Sequence, residues 1–460
     1  MLRRKMRRWV VAGLAGFTML AGPAGAESLN TVLAKAYSNS GLLEQNQALL
    51  NAADEDVFRA MSALQPIVSW SAGASQTWSN NAGGASDALN ASLGLSASMP
   101  VYDFGRGQLG VDLAEEAVQG TRQRLIGIEQ NVLLSAVQAY MQYRQAAELV
   151  ALRENNLRVI ERELQAANDR FEVGEITRTD VALAQAAQAR SSSSLAQARG
   201  DLLNARENFV AAVGVAPQSP SAPGALPDLP DTVAIAKAIA GRGHPDLISA
   251  QSSVKQAEIQ VAQAEAEMMP NVSLTGRISL SEELGGSSFN NSSSIGINAE
   301  MPLMSGGRLD AGIRQARARE ASAKAALRVT LLNLESQVGV AYARLSVAEA
   351  NRRATEQQIE AAQIAFDGVR EEANLGARTT LDVLNAEQDL LDARANLVIA
   401  NTEVVVATYS ALAAIGQLTS EKLGLKVERF DPEAYSAAVK AAPASERGLQ
   451  LDRVLGAIGK

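Results

Sequence analysis

The chain has 460 residues, long enough for a large buried core, with a formal net charge of −8, no cysteine and one histidine. The acidic balance argues against nucleic acid, which needs clustered Lys and Arg to neutralise phosphates. Without cysteine there is no disulfide, no thiolate metal site and no lipid-carrying residue after a leader, so a lipoprotein anchor is excluded. Aromatics make up 4% and alanine recurs throughout, which suits long helices packed closely along their sides.

In chain order, the first expected element is a secretory signal peptide over residues 1–26. Arg3, Arg4, Lys5, Arg7 and Arg8 form a basic head, Val10 to Leu20 an apolar segment, and Ala24-Gly25-Ala26 the small residues of a cleavage site. The apolar segment is well short of the roughly 20 residues a spanning helix needs. Removing it takes five positive charges, so the formal −8 becomes about −13 and the mature chain starts at Glu27. No later stretch reads as apolar enough for a spanning helix.

The rest is one plan written twice. Pro100-Val101-Tyr102-Asp103-Phe104-Gly105-Arg106 answers Pro302-Leu303-Met304-Ser305-Gly306-Gly307-Arg308. Ala139-Tyr140 answers Ala341-Tyr342, Gly174 with Thr177 and Asp180 answers Gly376 with Thr379 and Asp382, and Ala212-Val213-Gly214 answers Ala414-Ile415-Gly416. Each pair is 202 positions apart, as in Pro100 against Pro302. The expected units are a first repeat at 27–214, a Pro-rich surface linker at 215–230, a second repeat at 231–416 and a polar tail at 417–460, partly packed and partly disordered.

Each repeat opens with helices and then an alternating strand pair, expected at 66–101 and 270–304. Val68, Trp70, Ala72, Ala74 and Trp78 share one face against Ser69, Ser71, Gly73, Ser75 and Thr77. Ala91, Leu93, Leu95, Ala97 and Met99 oppose Ser92, Gly94, Ser96 and Ser98. In the second repeat Val272, Leu274, Ile278 and Leu280, then Ile295, Ile297, Ala299, Met301 and Leu303, make the apolar faces. Segments of about ten residues with this alternation are the pattern of a transmembrane β-barrel. A soluble sandwich is the alternative; the Ser/Gly/Thr faces and the Gly/Ser/Asn-rich tips, Asn80 to Asp87 and Glu282 to Asn291, favour the membrane. Arg277 and Glu300 on the polar faces read as solvated lumen charges. Four strands cannot close a barrel, so the chain must oligomerise.

A long helical hairpin follows in each repeat, at 105–213 and 307–416. Gly105 to Val173 holds no proline, which allows a helix approaching 100 Å. The partner helix in the second repeat carries Ala386, Leu390, Ala393, Leu397, Ala400, Val404, Ala407 and Ala411 in a 4-3 alternation. The first repeat has Ala184, Gln188, Ser191, Leu195, Ala198, Leu202, Ala205 and Phe209 in the same register, a coiled-coil signature with small seam residues. Gly174 and Gly376 suit the left-handed position after a helix end. Thr177 with Asp180, and Thr379 with Asp382, read as capping boxes opening the next helix. His244, in Gly243-His244-Pro245, reads as a surface turn residue.

With these elements placed, the chain resembles the TolC family of outer-membrane export ducts. The resemblance rests on Gly376-Ala377-Arg378-Thr379-Thr380-Leu381-Asp382-Val383-Leu384-Asn385-Ala386-Glu387-Gln388, its echo from Arg170 to Val181, and the two junctions at Tyr102–Arg106 and Ser305–Arg308. It implies a mainly α chain whose long antiparallel coiled-coil helices build an α-helical barrel, with four strands per chain in a twelve-stranded trimeric β-barrel. It also implies outer-membrane lipid around the strands, helices in the periplasm, and docking to a periplasmic adaptor (membrane fusion) protein and an ABC or proton-driven inner-membrane transporter. Such ducts serve type I protein secretion or multidrug efflux, with no chemistry, cofactor or metal. Mapped by motif, Asp382 would ring the pore tip and Arg378 would tie the inner coil to Asp180. Asn385 departs from the family pattern, which has a second acid there, so the family's double acidic ring does not carry over to this sequence. The Gly416-Gln417-Leu418 region resembles the secretion branch more than the lipid-anchored efflux branch.

Two other classes compete. An enzyme has little to work with: one histidine, no cysteine and no phosphate-cradling glycine loop. A periplasmic adaptor also carries a coiled-coil hairpin, but one rather than two, and flanked by soluble β-domains instead of amphipathic strand pairs.

Overall fold

The structure is a computed structural model, and it describes residues 27–81, 84–283 and 289–441. The expected signal peptide, the centres of both strand-pair tips and the tail beyond 441 lie outside the described residues.

Each repeat runs helix, helix, strand, strand, long helix, long helix. The first comprises α1 (Leu29–Asn39), α2 (Gly41–Ser62), β1 (Ile67–Asn81), β2 (Gly84–Tyr102), α3 (Arg106–Glu172) and α4 (Arg178–Val213). The second comprises α5 (Val233–Gly243), α6 (Pro245–Ala266), β3 (Asn271–Glu283), β4 (Phe289–Glu300), α7 (Arg308–Asn374) and α8 (Thr380–Ala414), and α9 (Pro432–Ala441) follows. Helices α3 and α7 have 67 residues each, about 100 Å at 1.5 Å per residue.

The strands form one antiparallel sheet in the order β1-β2-β3-β4. Its register sets like against like: Trp70 faces Leu95, Leu95 faces Ile278, and Leu274 faces Ile297. One face is therefore apolar across all four strands, and the other carries Ser, Gly and Thr. Ser279 and Ser292 hydroxyls meet there at 2.7 Å. At 15 and 19 residues, β1 and β2 outrun the expected ten because the polar tip segments pair in register as well. The β2–β3 register shifts between Pro100 and Tyr102, where proline supplies no N–H to the ladder.

The strand-to-rod junction is built on the Asp103 carboxylate, which accepts from Gly105 N at 3.0 Å and Gly107 N at 2.6 Å. Phe104 takes φ of 54° there, with its ring 4.6 Å edge-on to Tyr102. The Arg106 guanidinium crosses to the end of α6, donating to Ala266 O at 2.8 Å. In the second repeat Ser305 replaces Asp103, accepting from Leu309 N at 3.4 Å.

The long helices run side by side in the order α4, α3, α8, α7, with α4 also touching α8. Along them the seam residues are buried or half-buried: Ala184, Ser191, Leu195, Ala205 and Phe209 in α4, and Leu390, Ala393, Ala400, Val404 and Ala411 in α8. Large apolar side chains pool midway along the rods. There α1 and α5 pack Leu33 and Ala236 against Leu133, Val137 and Tyr140 of α3, Phe209 of α4, Val338 of α7 and Tyr409 and Leu412 of α8. The tail joins this belt through Leu418 and Leu425, and Glu129 accepts from Ser420 N at 2.6 Å.

The 215–230 segment is tied down by equivalent tyrosines. The Tyr140 hydroxyl lies 2.8 Å from Ser221 O and 2.9 Å from Glu27 O. The Tyr342 hydroxyl donates to Pro230 O at 3.1 Å.

Two expectations fail. His244 is not a surface turn residue: it is 6% exposed and caps α6, its Nδ1 accepting from Asp246 N at 3.2 Å. Burial lowers its pKa against the opposing Asp246 charge and an Ala413 backbone hydrogen bond, so the ring is neutral at pH 7. The turn signal was right, but the end of α8 folds over it. The second failure is α8 itself, which by length and composition alone is apolar enough to cross a membrane, with a window of mean hydropathy 1.5. In the structure 44% of that window is buried, where α8 has α7, α3 and α4 as neighbours.

Gly214 and Gly416, one repeat apart, adopt φ of 81° and 78° after the ends of α4 and α8. A Cβ on Gly416 would lie 3.0 Å from His244 Cα and 3.1 Å from Pro245 Cδ. Gly416→Ala should therefore cost at least about 1–2 kcal/mol from the left-handed backbone alone. Gly312→Ala, inside α7 with nothing within 4 Å of the new Cβ, should be neutral or stabilising by up to about 1 kcal/mol. Melting temperatures of the two variants in detergent check the contrast.

Candidate functional site

The candidate site is the pair of helix reversals at the end of the rods far from the sheet. Both are built the same way. Gly174 and Gly376 each sit at φ of 80°. Gly174 N donates to Phe171 O and Glu175 N to Arg170 O; Gly376 N donates to Ala373 O and Ala377 N to Glu372 O. These paired bonds are a Schellman motif, which satisfies the last carbonyls of α3 and α7. The next helix opens at once on a capping box in each copy. Thr177 Oγ1 accepts from Asp180 N at 3.3 Å while Asp180 Oδ2 accepts from Thr177 N at 2.9 Å. Thr379 Oγ1 accepts from Asp382 N at 3.2 Å while Asp382 Oδ2 accepts from Thr379 N at 2.9 Å.

These bonds hold both carboxylates below the usual aspartate range. At Asp180 the Thr177 hydroxyl contributes most; at Asp382 the Thr379 backbone N–H leads, with nearby Arg378 adding to it. Asp382 is half-exposed and Asn385, one turn on, is exposed. Arg378 does not reach Asp180. Its Nε donates to Glu372 Oε2 at 2.7 Å, closing its own reversal, and no ion pair joins Arg378 to Asp180.

The two copies differ in their neighbours. In α4, Val181 is buried and Ala182 exposed; in α8, Val383 and Leu384 are both buried. Val383 packs into its own hairpin with Phe366, Ala373 and Leu390. Leu384 packs the other way, with Ile160 and Ala167 of α3 and Ala184 of α4. One turn above Leu384, a buried polar chain joins three helices. Ser191 Oγ of α4 donates to Asn156 Oδ1 of α3 at 2.9 Å, and Asn156 Nδ2 donates to Glu387 Oε1 of α8 at 3.2 Å. Burial raises the Glu387 pKa. Glu387 stands in the motif that carries the resemblance, but its role was not legible: nothing in a single helix shows which polar residue of another will meet it.

The second surface of interest is the apolar face of the sheet. Every described residue of β4 is exposed, Ile295 at 87% and Ile297 at 74%. Arg277 and Glu300 are exposed on the polar face. Among the described residues, no group of three or more acidic or histidine side chains is placed to hold a metal.

The caps have a definite pH sign. A carboxylate with a depressed folded pKa contributes stability above its unfolded value, about 3.9, and loses it as pH falls through the folded value. The first turns of α4 and α8 should therefore stay protected from amide exchange down to about pH 4 and fray below it. Thr379→Ala should fray α8 alone at neutral pH, by about 0.5–2 kcal/mol, read as faster exchange over 380–384 with 178–182 unchanged.

The family model described as "Outer membrane efflux protein" matches twice, over residues 32–215 and 238–417. The outer membrane efflux protein BepC of Brucella suis biovar 1 is 34% identical over 433 residues, covering 93% of this chain and 94% of that protein. Outer membrane protein TolC of Escherichia coli K12 is 25% identical over 430 residues, covering 89% and 86%. In fold, the solved Campylobacter jejuni CmeC outer membrane channel superposes with a TM-score of 0.75 at 16% identity, covering 91% of this chain and 90% of that one. A repeated match across most of the chain, with rods, sheet and reversals in the order described, leaves one conclusion: the chain is an outer-membrane protein of the outer membrane efflux family, the TolC family of export ducts.

Proposed function

We propose that the chain is the exit duct of a tripartite export system, a homotrimer with a twelve-stranded barrel in the outer membrane and a helical tube in the periplasm. The observation that carries this is the sheet: four strands with an exposed apolar face and with β1 and β4 as its two edge strands. In lipid each unpaired backbone N–H or C=O costs several kcal/mol, so edges must close on something. Pairing β4 of one copy with β1 of the next satisfies both edges and keeps the apolar face continuous. Three copies of four strands give the family's twelve, above the roughly eight a small barrel needs. The rods carry a matching demand, since α7 leaves Val329, Leu332, Val340, Val347 and Ile364 exposed.

In this reading the reversals form the periplasmic tip, opened by an adaptor and an inner-membrane transporter. Three Asp382 carboxylates around the axis would favour cations, while Asn385 supplies a neutral ring one turn on. The similarity to BepC, named an efflux protein, supports an efflux role; the Gly416-Gln417-Leu418 resemblance to the secretion branch keeps protein secretion as the second reading.

Purified mature protein in detergent should have the mass of three chains, and a monomer that ignores bilayers would sink the proposal. Ile297→Arg, on the lipid face, should cost about 2–4 kcal/mol and block assembly, whereas Asn298→Arg, on the other face of β4, should assemble. Heat-resistant oligomer on a gel separates them. In planar bilayers Asp382→Asn should shift the reversal potential in a salt gradient away from the cation equilibrium value; an unchanged potential removes Asp382 from the constriction.

A further inference from the structure

The capping boxes account for Asp180 and Asp382, but not for an acid buried inside the wall. Glu387 is 7% exposed, and its partners Asn156 and Ser191 are 4% and 6% exposed. A burial of three polar side chains from three helices is costly unless each is hydrogen-bonded, and here they form one chain from α4 through α3 to α8. We propose that Ser191, Asn156 and Glu387 form the joint that holds α8 to the α3–α4 pair above the tip, and that loss of the Glu387 proton loosens it. This rests on the reading of the reversals as the tip of a duct.

The geometry gives the direction. With Glu387 neutral, its carbonyl oxygen accepts from Asn156 and no charge is buried. With Glu387 ionised, a charge sits in the wall between helices, and water reaches it only if α8 moves away from α3 and α4. The charged groups facing it are Arg394 on α8 itself, Arg370 on α7 and Glu163 on α3, while α4 offers the neutral Ser191. Arg394 is partly engaged elsewhere, donating to Gln363 Oε1 at 2.6 Å, and Glu163 opposes ionisation. Burial is the largest influence and raises the pKa of the packed carboxyl.

The linkage sign follows from that direction. A group whose packed pKa is raised supports packing fully below its free value, about 4.3 for glutamate, and loses that support as pH rises through the packed value. The equilibrium for local opening should climb by up to about tenfold per pH unit between those two values and level off above the higher one. This is opposite in sign to the caps at Asp180 and Asp382, so the two titrations cannot be confused.

The test is amide exchange over residues 380–395 of the full chain in detergent, from pH 4.5 to 8 and corrected for intrinsic rates. Wild-type protein should open more as pH rises; Glu387→Gln, which keeps the acceptor and stays neutral, should hold the low-pH level throughout. Ser191→Ala, which cuts the chain at α4 and leaves the carboxyl, should raise opening at every pH and keep the slope. In planar bilayers wild-type conductance should rise over the same range and Glu387→Gln conductance should not. Equal pH dependence in wild type and Glu387→Gln, or none in either, overturns the joint. Absence of any channel current removes the duct reading, and the exchange profile then decides the joint by itself.

Discussion

The rods depend on small side chains. A helix of about 100 Å has a surface too extended to be covered by one core, so each must lean on its neighbours along narrow seams. Alanine and serine at Ala184, Ser191, Ala205, Ala393, Ala400 and Ala411 let the backbones approach, and close approach maximises dispersion contacts for little buried area. What seams cannot supply, the belt midway along the rods does. Leu33, Leu133, Tyr140, Phe209, Tyr409 and Leu412 are collected there, and the linker and tail are drawn into the same place by Tyr140, Tyr342, Leu418 and Leu425. The molecule is firm at the middle and thinly packed towards both ends. That distribution suits the proposed duct, in which the tip opens while the body stays fixed.

Duplication supplied two copies of every local device, and the neighbours decide what each copy does. The two reversals share their Schellman bonds, left-handed glycine and capping box. Yet α4 buries a single stripe, whereas α8 is buried both towards α7, through Val383, and towards α3 and α4, through Leu384 and Glu387. Part of the apolar composition of α8 serves those extra neighbours, with 44% of its most apolar window buried. Arg378 shows the same rule at the level of one side chain: the turn it belongs to is duplicated, but its acid, Glu372, is local to its own copy.

This separates what was legible in the sequence from what was not. The 4-3 seams, the alternating strands and the Gly-x-x-Thr-x-x-Asp reversals are all local patterns, each written twice, the seams and reversals at an offset of 202 residues, and local patterns report backbone geometry directly. The family motif was legible for the same reason. His244 was misread because its burial comes from Gly416, more than 170 residues away, whose left-handed backbone lets the end of α8 lie against it. The Ser191–Asn156–Glu387 chain was silent because its members lie on three helices and each is unremarkable alone. The 215–230 segment reads as a surface linker by composition, whereas the structure fastens it through the two tyrosines, themselves visible as a repeat pair, and through hydrogen bonds to Glu27.

The order of elements links the two ends of the proposed assembly. In the sheet the first repeat supplies β1 and β2 and the second β3 and β4; among the rods α4 and α3 are followed by α8 and α7. Both layers therefore run from first repeat to second in the same sense. The edge strand β1 and helix α4 lie on one flank, and the edge strand β4 and helix α7 on the other. A contact that joins unlike flanks is heterologous, and it closes into a ring when the rotation per copy divides a full turn. One rotation has to serve β4 on β1 and α7 on α4 together. If the sheet closed with three copies and the rods with another number, one layer would be left open, so the stoichiometry is constrained twice by one chain order.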